Sequence, residues 1–187
     1  LGIEKVPKIS WKHVQKFQKQ FTKKVPKNTE ENLTSLHIDL YHQSPKFMSK
    51  NEIEVEGKKV TADKFVIASG LTPRKLKFKG AEHLKVSDDI FKLKKVPKSA
   101  TFIGSGYVGM EFCYLLSTLG CKVTMIDRGS QALSQFDPFL VDQLVSSMSE
   151  NGVDFIFNAE VSSIEKKKKN LKITYQQKGK KKNNSLC

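Results

Sequence analysis

Hydrophobic and polar positions in the second half of the chain change period twice, and the order of the changes predicts a strand, a helix and a second strand. Residues 100–103 form a short apolar run, and residues 122–126 form another. Between them, from Gly106 to Leu119, apolar side chains recur at three- and four-residue intervals, as in a helix that buries one face. Gly120 then stands where a helix commonly ends in a left-handed conformation. This order predicts a βαβ unit and therefore an α/β fold with a parallel sheet.

Similar patterns extend the prediction towards the C-terminus. Asp137 is a suitable N-cap for a helix that ends near Gly152, and a strand is expected at 153–157 behind that helix. Alternating apolar residues then predict a hairpin-like pair of strands at 161–165 and 171–175.

The first hundred residues have a weaker pattern, which predicts two helices followed by a small antiparallel sheet. Ser10 is expected to cap a helix that runs to about Phe21, and a second, shorter helix is expected to end near Leu36. Short strands separated by polar turns are expected at 36–41, 53–55, 59–61 and 64–68.

The change of pattern predicts the domain organisation. Pro97 precedes the βαβ region, so we expect a boundary near residues 93–99, with one domain at 1–96 and a second at 97–176. Residues 177–187 are rich in Lys, Asn and Ser, and we expect them to form a disordered basic tail.

The charge of the chain bears on whether it binds nucleic acid. The net charge is +14, from 33 basic and 19 acidic residues. Only Arg74 and Arg128 are arginine, whereas nucleic-acid readers usually depend on the planar guanidinium. We therefore interpret the lysine excess as a solvated surface, and binding to nucleic acid or another anionic surface remains an alternative.

The cysteines and the apolar runs indicate the cellular setting. Cys113, Cys121 and Cys187 have neither a metal-ligand spacing nor a disulfide framework, which favours a reducing, cytoplasmic compartment. No apolar run approaches the roughly 18 residues that a membrane helix needs, so we expect no membrane association. The sequence predicts no metal ligands.

Six residues between the first strand and its helix form a glycine motif. Gly104–Gly109 reads Gly-Ser-Gly-Tyr-Val-Gly, which matches G-x-G-x-x-G. Gly104 suits a tight turn, Gly106 allows a pyrophosphate to approach the backbone, and Gly109 lets the helix pack closely. The helix N-terminus favours the phosphates. The motif predicts a Rossmann-like dinucleotide-binding domain whose candidate residues are Gly104, Ser105, Gly106, Tyr107, Val108 and Gly109.

A carboxylate at the end of the second strand bears on the choice of dinucleotide. Asp127 lies 23 residues after Gly104, where it can accept hydrogen bonds from the adenosine ribose. A carboxylate there suits the free 2′-hydroxyl of NAD and repels the 2′-phosphate of NADP. Arg128 can pair with that phosphate, so NADP stays open. We expect NADH as the ligand.

At these residues the chain resembles a known family. Residues 104–111, Gly-Ser-Gly-Tyr-Val-Gly-Met-Glu, are similar to the pyridine-nucleotide motif of the flavin-dependent disulfide oxidoreductases, the family of dihydrolipoamide dehydrogenase, glutathione reductase and mercuric reductase. Residues 66–70, followed by Pro73-Arg74 and Gly80, resemble the second flavin-contacting segment of that family. Arg128-Gly129, followed by Phe136-Asp137, resembles the loop after its ribose acid.

The resemblance implies cofactors and roles for further residues. It implies a first domain that is part of an FAD-binding domain, with Ala68, Ser69 and Gly70 near the flavin, and a homodimer. By the same resemblance, Tyr107 lies over the nicotinamide-side face of the flavin. Glu111 pairs with a lysine near the flavin ring, and Val161 lines the adenosine pocket.

Several family features are missing from this sequence, which resembles the middle of such an enzyme. It contains neither a first G-x-G-x-x-G for FAD nor a C-x4-C redox pair, and Cys113 and Cys121 do not have that spacing. The later flavin segment and the dimerisation domain with its catalytic His are also absent. We assign no catalytic residue and expect the chain to be inactive alone. Two interpretations remain: the NADH-binding part of an FAD-dependent disulfide oxidoreductase, or a catalytically inactive nucleotide-binding module.

Overall fold

The structure is a computed structural model, and it describes residues 9–168 and 170–186. The chain divides into two compact units. The first consists of Val14–Thr72, and the second of the described residues within 1–13 and 73–187.

The first unit contains helices and a small antiparallel sheet, as the sequence pattern predicts. Its elements are most of α1 (Trp11–Thr22), then α2 (Val25–Ser35), β1 (Lys46–Ser49), β2 (Glu52–Val55) and β3 (Lys58–Thr61). The strands pair in the order β1-β2-β3. Val55 is the one buried apolar side chain among the described residues of this unit.

Two strands expected in the first unit do not form. Residues 36–41 and 64–68 lie outside every helix and strand, while β1, which the pattern did not predict, pairs with β2. Leu36 and Val66 are exposed, at 68% and 90% of their surface. Strand formation depends on pairing and packing as well as on apolar composition, and neither run pairs with the β1-β2-β3 sheet.

The second unit is built on a three-stranded parallel sheet. Its elements are a 3₁₀ turn (Ala81–His83), α3 (Ser87–Ile90), β4 (Ser99–Ile103), α4 (Tyr107–Thr118), β5 (Lys122–Ile126), α5 (Pro138–Glu150), β6 (Val153–Ile156), β7 (Ala159–Lys167), β8 (Asn170–Gln177) and β9 (Lys180–Leu186). The parallel order is β4-β5-β6, and Ile103, Ile126 and Ile156 lie side by side where the strands end. The predicted βαβ unit is confirmed.

The two faces of the parallel sheet bury separate cores. On one face, side chains of α4 and α5 pack with those of the strands, and this core contains Met110, Cys113, Leu116, Cys121, Val123, Met125, Ala132, Val141, Met148 and Val153. On the other face lies the antiparallel sheet β7-β8-β9, and that core contains Ile126, Ala159, Val161, Ile164, Ile173 and Tyr175. The cores hold the carboxyl edge of the parallel sheet rigid, because closely packed interiors resist deformation.

The helix ends follow local signals. Gly120 has φ +83° directly after α4, as expected for a glycine at that position. The Asp137 carboxylate accepts a hydrogen bond from the N–H of Leu140 at 3.2 Å, which confirms it as the N-cap of α5. Pro138 occupies the first turn, where its missing N–H has no cost.

The prediction of a disordered tail at residues 177–187 is wrong for residues 177–186, whose backbone the structure describes. Strand β9 pairs with β8 from Gln177 opposite Lys180 to Leu171 opposite Leu186. Lys178 and Gly179 both have positive φ, which is the geometry of a tight hairpin turn that matches the twist of its strands. An edge strand needs only backbone pairing on one side, so its polar composition is tolerated. Residue 187 lies outside the described residues.

The chain before the parallel sheet packs with it. The indole N–H of Trp11 donates to the carbonyl of Leu93 at 2.7 Å, and its ring stacks on Phe91 with centroids 6.0 Å apart. Phe91 in turn meets Phe112 of α4 edge-on at 5.5 Å. The domain boundary expected near residues 93–99 therefore lies inside the second unit.

Candidate functional site

The glycine motif forms the turn between β4 and α4. Gly104 has φ +97°, a conformation that favours glycine, and its N–H donates to the carbonyl of Ile126 at 2.9 Å. A β-carbon on Gly109 would lie 2.9 Å from the carbonyl oxygen of Gly104, so α4 packs against the turn only because residue 109 has no side chain. Both glycines therefore do what the motif predicts for the protein backbone.

Gly106 is different, because nothing in the described chain requires a glycine there. Its φ of −72° and ψ of 168° are open to any residue, and a β-carbon would meet no protein atom within 4 Å. Gly106 is exposed and serves as the N-cap residue of α4. An open glycine that neither conformation nor packing explains suits the close approach of a ligand to the backbone.

The first turn of α4 faces solvent. Tyr107 is 65% exposed and Val108 is 37% exposed. The first N–H groups of a helix have no partner within it, and Gly106 has no side chain with which to cap them. Such groups, together with the helix dipole, form a site for phosphate oxygens.

Asp127 follows β5 at the same edge and is held by three donors. One carboxylate oxygen, Oδ2, accepts from the backbone N–H of Ser105 at 2.6 Å and from the Ser105 hydroxyl at 2.7 Å. The other, Oδ1, accepts from the N–H of Gly129 at 2.6 Å. Partial burial opposes ionisation, but the hydrogen bonds from Gly129 and Ser105 and the charge of Arg128 outweigh it and lower the pKa of Asp127.

Ser105 lies inside the site. It is 4% exposed, and its carbonyl oxygen accepts from the N–H of Leu133 at 3.0 Å. With both donors directed at Asp127, all polar groups of Ser105 are engaged within the protein. The sequence motif gave no sign of this arrangement, because Ser105 and Asp127 are 22 residues apart.

Backbone hydrogen bonds join the loops that follow β5 and β6. The N–H of Ala159 donates to the carbonyl of Asp127 at 2.9 Å, and the N–H of Asn158 donates to that of Gly129 at 2.8 Å. Together with the link from Asp127 to Ser105, these bonds connect the loops after all three parallel strands. The carboxyl edge is therefore one hydrogen-bonded network with Asp127 at its centre.

The remaining candidate residues of this unit occupy different environments. Arg128 is exposed beside Asp127, and Tyr107 and Glu111 are both exposed and lie one helical turn apart on α4. Val161, 9% exposed, belongs to the core between the parallel sheet and the β7–β9 sheet. The structure thus brings the glycine turn and Asp127 together, while Val161 lies among core residues.

The candidate flavin residues lie in the first unit. Ala68, Ser69 and Gly70 are exposed and belong to no helix or strand. Gly70 has φ +77°, and a β-carbon there would meet nothing within 4 Å. Among the residues that the structure describes, this segment has no packed support that would enclose an isoalloxazine ring.

The structure also contains a cavity that sequence reasoning missed. A cavity of about 740 Å³ borders β4. Its lining includes Thr101, Ile103, Ile173 and residues of the glycine turn. The hydroxyl of Thr101 is buried and has no hydrogen-bond partner among the described residues. No local signal predicts this space, because it is formed by segments distant in sequence.

Both described cysteines are buried thiols. Burial raises the pKa of Cys113 to about 12, with a smaller effect of the neighbouring Cys121, and burial raises the pKa of Cys121 to about 11. A thiolate is the reactive form of cysteine, so these side chains are poorly suited to disulfide exchange. Both side chains belong to the core that α4 and α5 form with the parallel sheet.

The described residues offer neither a candidate metal site nor a helix suited to crossing a bilayer. No group of three or more His, Cys, Asp or Glu side chains there could hold a metal ion. Of the helices in this part of the chain, none is long and apolar enough to cross a bilayer.

Comparison of the sequence with known proteins identifies relatives. The family model described as pyridine nucleotide-disulphide oxidoreductase matches residues 3–186. Mercuric reductase from Bacillus cereus is 33% identical over 130 residues, which cover 68% of this chain and 21% of that protein. Glutathione reductase from Nostoc sp. is 32% identical over 169 residues, which cover 89% of this chain and 36% of that protein.

Solved structures agree on the fold. The Cu(II) complex of the HOCl-induced flavoprotein disulfide reductase RclA from Escherichia coli has a TM-score of 0.82 and 20% identity, over 94% of this chain and 41% of that one. A second structure of the same reductase has a TM-score of 0.78, over 91% of this chain and 40% of that one. The chain thus spans between 21% and 41% of the length of these proteins. Since the family model covers nearly its whole length, the chain belongs to the pyridine nucleotide-disulfide oxidoreductase family, whose members use flavin and nicotinamide nucleotides.

Proposed function

We propose that this chain supplies the NADH-binding part of an oxidoreductase that passes a hydride from NADH to a flavin and on to a disulfide or related acceptor. One observation carries the proposal: the turn at Gly104–Gly109 is open at Gly106, and the Asp127 carboxylate lies at the same edge of the sheet. A pyrophosphate at the start of α4 leaves the adenosine ribose to approach Asp127.

The charge of Asp127 favours NADH over NADPH. Its lowered pKa keeps the carboxylate ionised at neutral pH, where it accepts hydrogen bonds from a ribose hydroxyl and repels a 2′-phosphate. Arg128 is exposed next to it and is the group that would favour NADPH. We assign the ribose contact to Asp127, because its position is held by three hydrogen bonds.

The flavin, when bound, supplies the atoms that accept the hydride. In this chain the segment Ala68–Gly70 is exposed, and the described residues of its unit bury one apolar side chain, Val55. These residues do not form an enclosed flavin seat by themselves. We therefore assign to this chain the binding and orientation of the nicotinamide nucleotide, and no step of flavin chemistry.

A second candidate function is a nucleotide-binding module without catalysis. The burial of Cys113 and Cys121 favours it for this chain alone, because disulfide exchange needs an accessible thiolate and a resolving partner. Both candidates assign to this chain the binding of the nucleotide without flavin chemistry, and turnover by the chain alone tests that shared assignment. We expect the purified chain with NADH, added FAD and glutathione disulfide to oxidise NADH more slowly than about 1 s⁻¹, the low end of ordinary enzyme turnover. A faster rate would show that the chain is a catalyst in its own right.

The binding proposal is tested by placing a side chain at the open glycine. Gly106→Val should fold as the wild type does, because the backbone conformation is ordinary and the space is empty. It should nevertheless abolish NADH binding in titration calorimetry. Ser146→Val, on the exposed side of α5, is the control and should bind normally. Normal NADH binding by folded Gly106→Val, or no NADH binding by the wild type, would overturn the proposal.

A further inference from the structure

We infer that Ser105 is a positioning residue that holds the Asp127 carboxylate towards the adenosine ribose and thereby sets the preference for NADH over NADPH. This inference rests on the proposed function. It gives Ser105 a task different from that of a cofactor ligand, which is what its place in the glycine motif suggests.

The geometry of Ser105 excludes a direct phosphate contact in this conformation. Its backbone N–H and its hydroxyl both donate to one oxygen of Asp127, at 2.6 and 2.7 Å. Its carbonyl oxygen is bound by the N–H of Leu133, and the residue is 4% exposed. Ser105 therefore faces inward, towards the carboxylate, while Gly106 beside it faces solvent.

The number of acceptor positions on Asp127 makes its orientation important. A carboxylate offers about four lone-pair positions, and three are filled by Ser105 and Gly129. About one position is left for a ribose hydroxyl. With about one acceptor position left, the carboxylate recognises the ribose only if it is held at one angle. Among the described hydrogen bonds to Asp127, the Ser105 hydroxyl is the one donor that belongs to a side chain.

Loss of this hydroxyl affects the two nucleotides differently. Without it each oxygen keeps one backbone donor, the N–H of Ser105 on Oδ2 and that of Gly129 on Oδ1, so the carboxylate is held less firmly and its hydrogen bond to the ribose of NADH weakens. The same freedom relaxes its repulsion of the 2′-phosphate of NADPH and allows the exposed Arg128 to pair with that phosphate. Both nucleotides place the same pyrophosphate on the glycine turn. A purely structural role for Ser105, through the shape of the turn, would therefore weaken both equally.

The experiment compares NADH and NADPH affinities by titration calorimetry for the wild type, Ser105→Ala and the control Ser146→Ala. We expect Ser105→Ala to lose about 10-fold in NADH affinity, as for one hydrogen bond to a charged group, and to change by less than about twofold for NADPH. Ser146→Ala should match the wild type for both. If Ser105→Ala does not fold, Ser105→Gly deletes the same hydroxyl and keeps the same N–H.

A double-mutant cycle assigns the effect to Asp127. In the Asp127→Ala background, removal of the Ser105 hydroxyl should leave the ratio of the two affinities unchanged, since there is no carboxylate left to hold. Equal losses for NADH and NADPH, no change in either, or a shift that persists without Asp127 would each overturn the inference. A wild-type chain that binds neither nucleotide would instead overturn the proposed function.

Discussion

The carbonyl oxygen of Gly104 lies 2.9 Å from the position that a β-carbon on Gly109 would occupy. That oxygen belongs to the backbone of a turn whose φ is +97°, and it cannot move without opening the contact between β4 and α4. The third glycine of the motif is thus required by the protein itself, whereas neither conformation nor packing requires a glycine at the second position, Gly106.

This contrast predicts different effects of two alanine substitutions on the melting temperature. Gly109→Ala should lower the melting temperature, because overpacking costs roughly 1–3 kcal/mol and exceeds the gain in helix propensity of at most about 1 kcal/mol. Gly106→Ala meets open space, and the roughly 0.5–1 kcal/mol lost at the N-cap is offset by a similar entropic gain from Gly→Ala, so this variant should melt close to the wild type. Differential scanning calorimetry checks both. A Gly109→Ala protein as stable as Gly106→Ala would contradict the close packing.

Asp127→Ala should weaken both the fold and NADH binding. It leaves the buried donors of Ser105 without an acceptor, which costs roughly 1–3 kcal/mol of stability. NADH affinity should fall by about 10- to 150-fold, as for the loss of a hydrogen bond to a charged group. Thermal melts and calorimetric titration measure the two effects. A variant with wild-type NADH affinity would show that Asp127 supports only the turn.

The stabilisation from Asp127 should depend on pH in one direction. Its pKa in the folded chain is below the ordinary value of 3.8, so the folded state binds the proton less tightly than the unfolded state does. The contribution is therefore fully present at pH well above 3.8 and is lost as the pH falls through the folded-state pKa. The difference in melting temperature between wild type and Asp127→Ala should be constant from pH 7 to 5 and shrink below pH 4. A difference that grows on acidification would contradict the assigned hydrogen bonds.

Removal of residues 178–187 should lower the melting temperature by several degrees. The deletion takes away β9 and leaves the edge of β8 unpaired beside the buried residues Ile173 and Tyr175. As a control, Lys180→Thr changes an exposed side chain, keeps the backbone pairing of β9 and should preserve the melting temperature. A truncated chain that melts like the wild type would support the disordered tail that the composition suggests.

The cysteines should react slowly in the folded chain. In a Cys187→Ser background, Cys113 and Cys121 should resist modification by a disulfide reagent at pH 8, since burial raises the pKa of both thiols. Both should react within seconds in urea, which serves as the matched control. Rapid reaction of either thiol in buffer would reopen a redox role for this chain.

The sequence alone determined the β4–α4–β5 unit and the chemistry expected at its edge. The helical stripe, the terminal Gly120 and the three motif glycines are local signals, and the structure has β5 at the predicted residues 122–126. Such signals act between residues that are close in sequence, so they depend little on the tertiary structure around them. The family resemblance could be drawn from the same local residues.

Only the tertiary structure decided which groups meet. Ser105 and Asp127 are 22 residues apart, and the parallel register of β4 and β5 brings the hydroxyl of one to the carboxylate of the other. Pairing with β8 makes a strand of the polar segment 180–186, whereas the apolar run at 36–41 finds no partner and stays irregular. Whether a segment pairs as a strand or becomes buried depends on which other segment lies beside it. Its own composition and hydrophobic periodicity do not specify that neighbour.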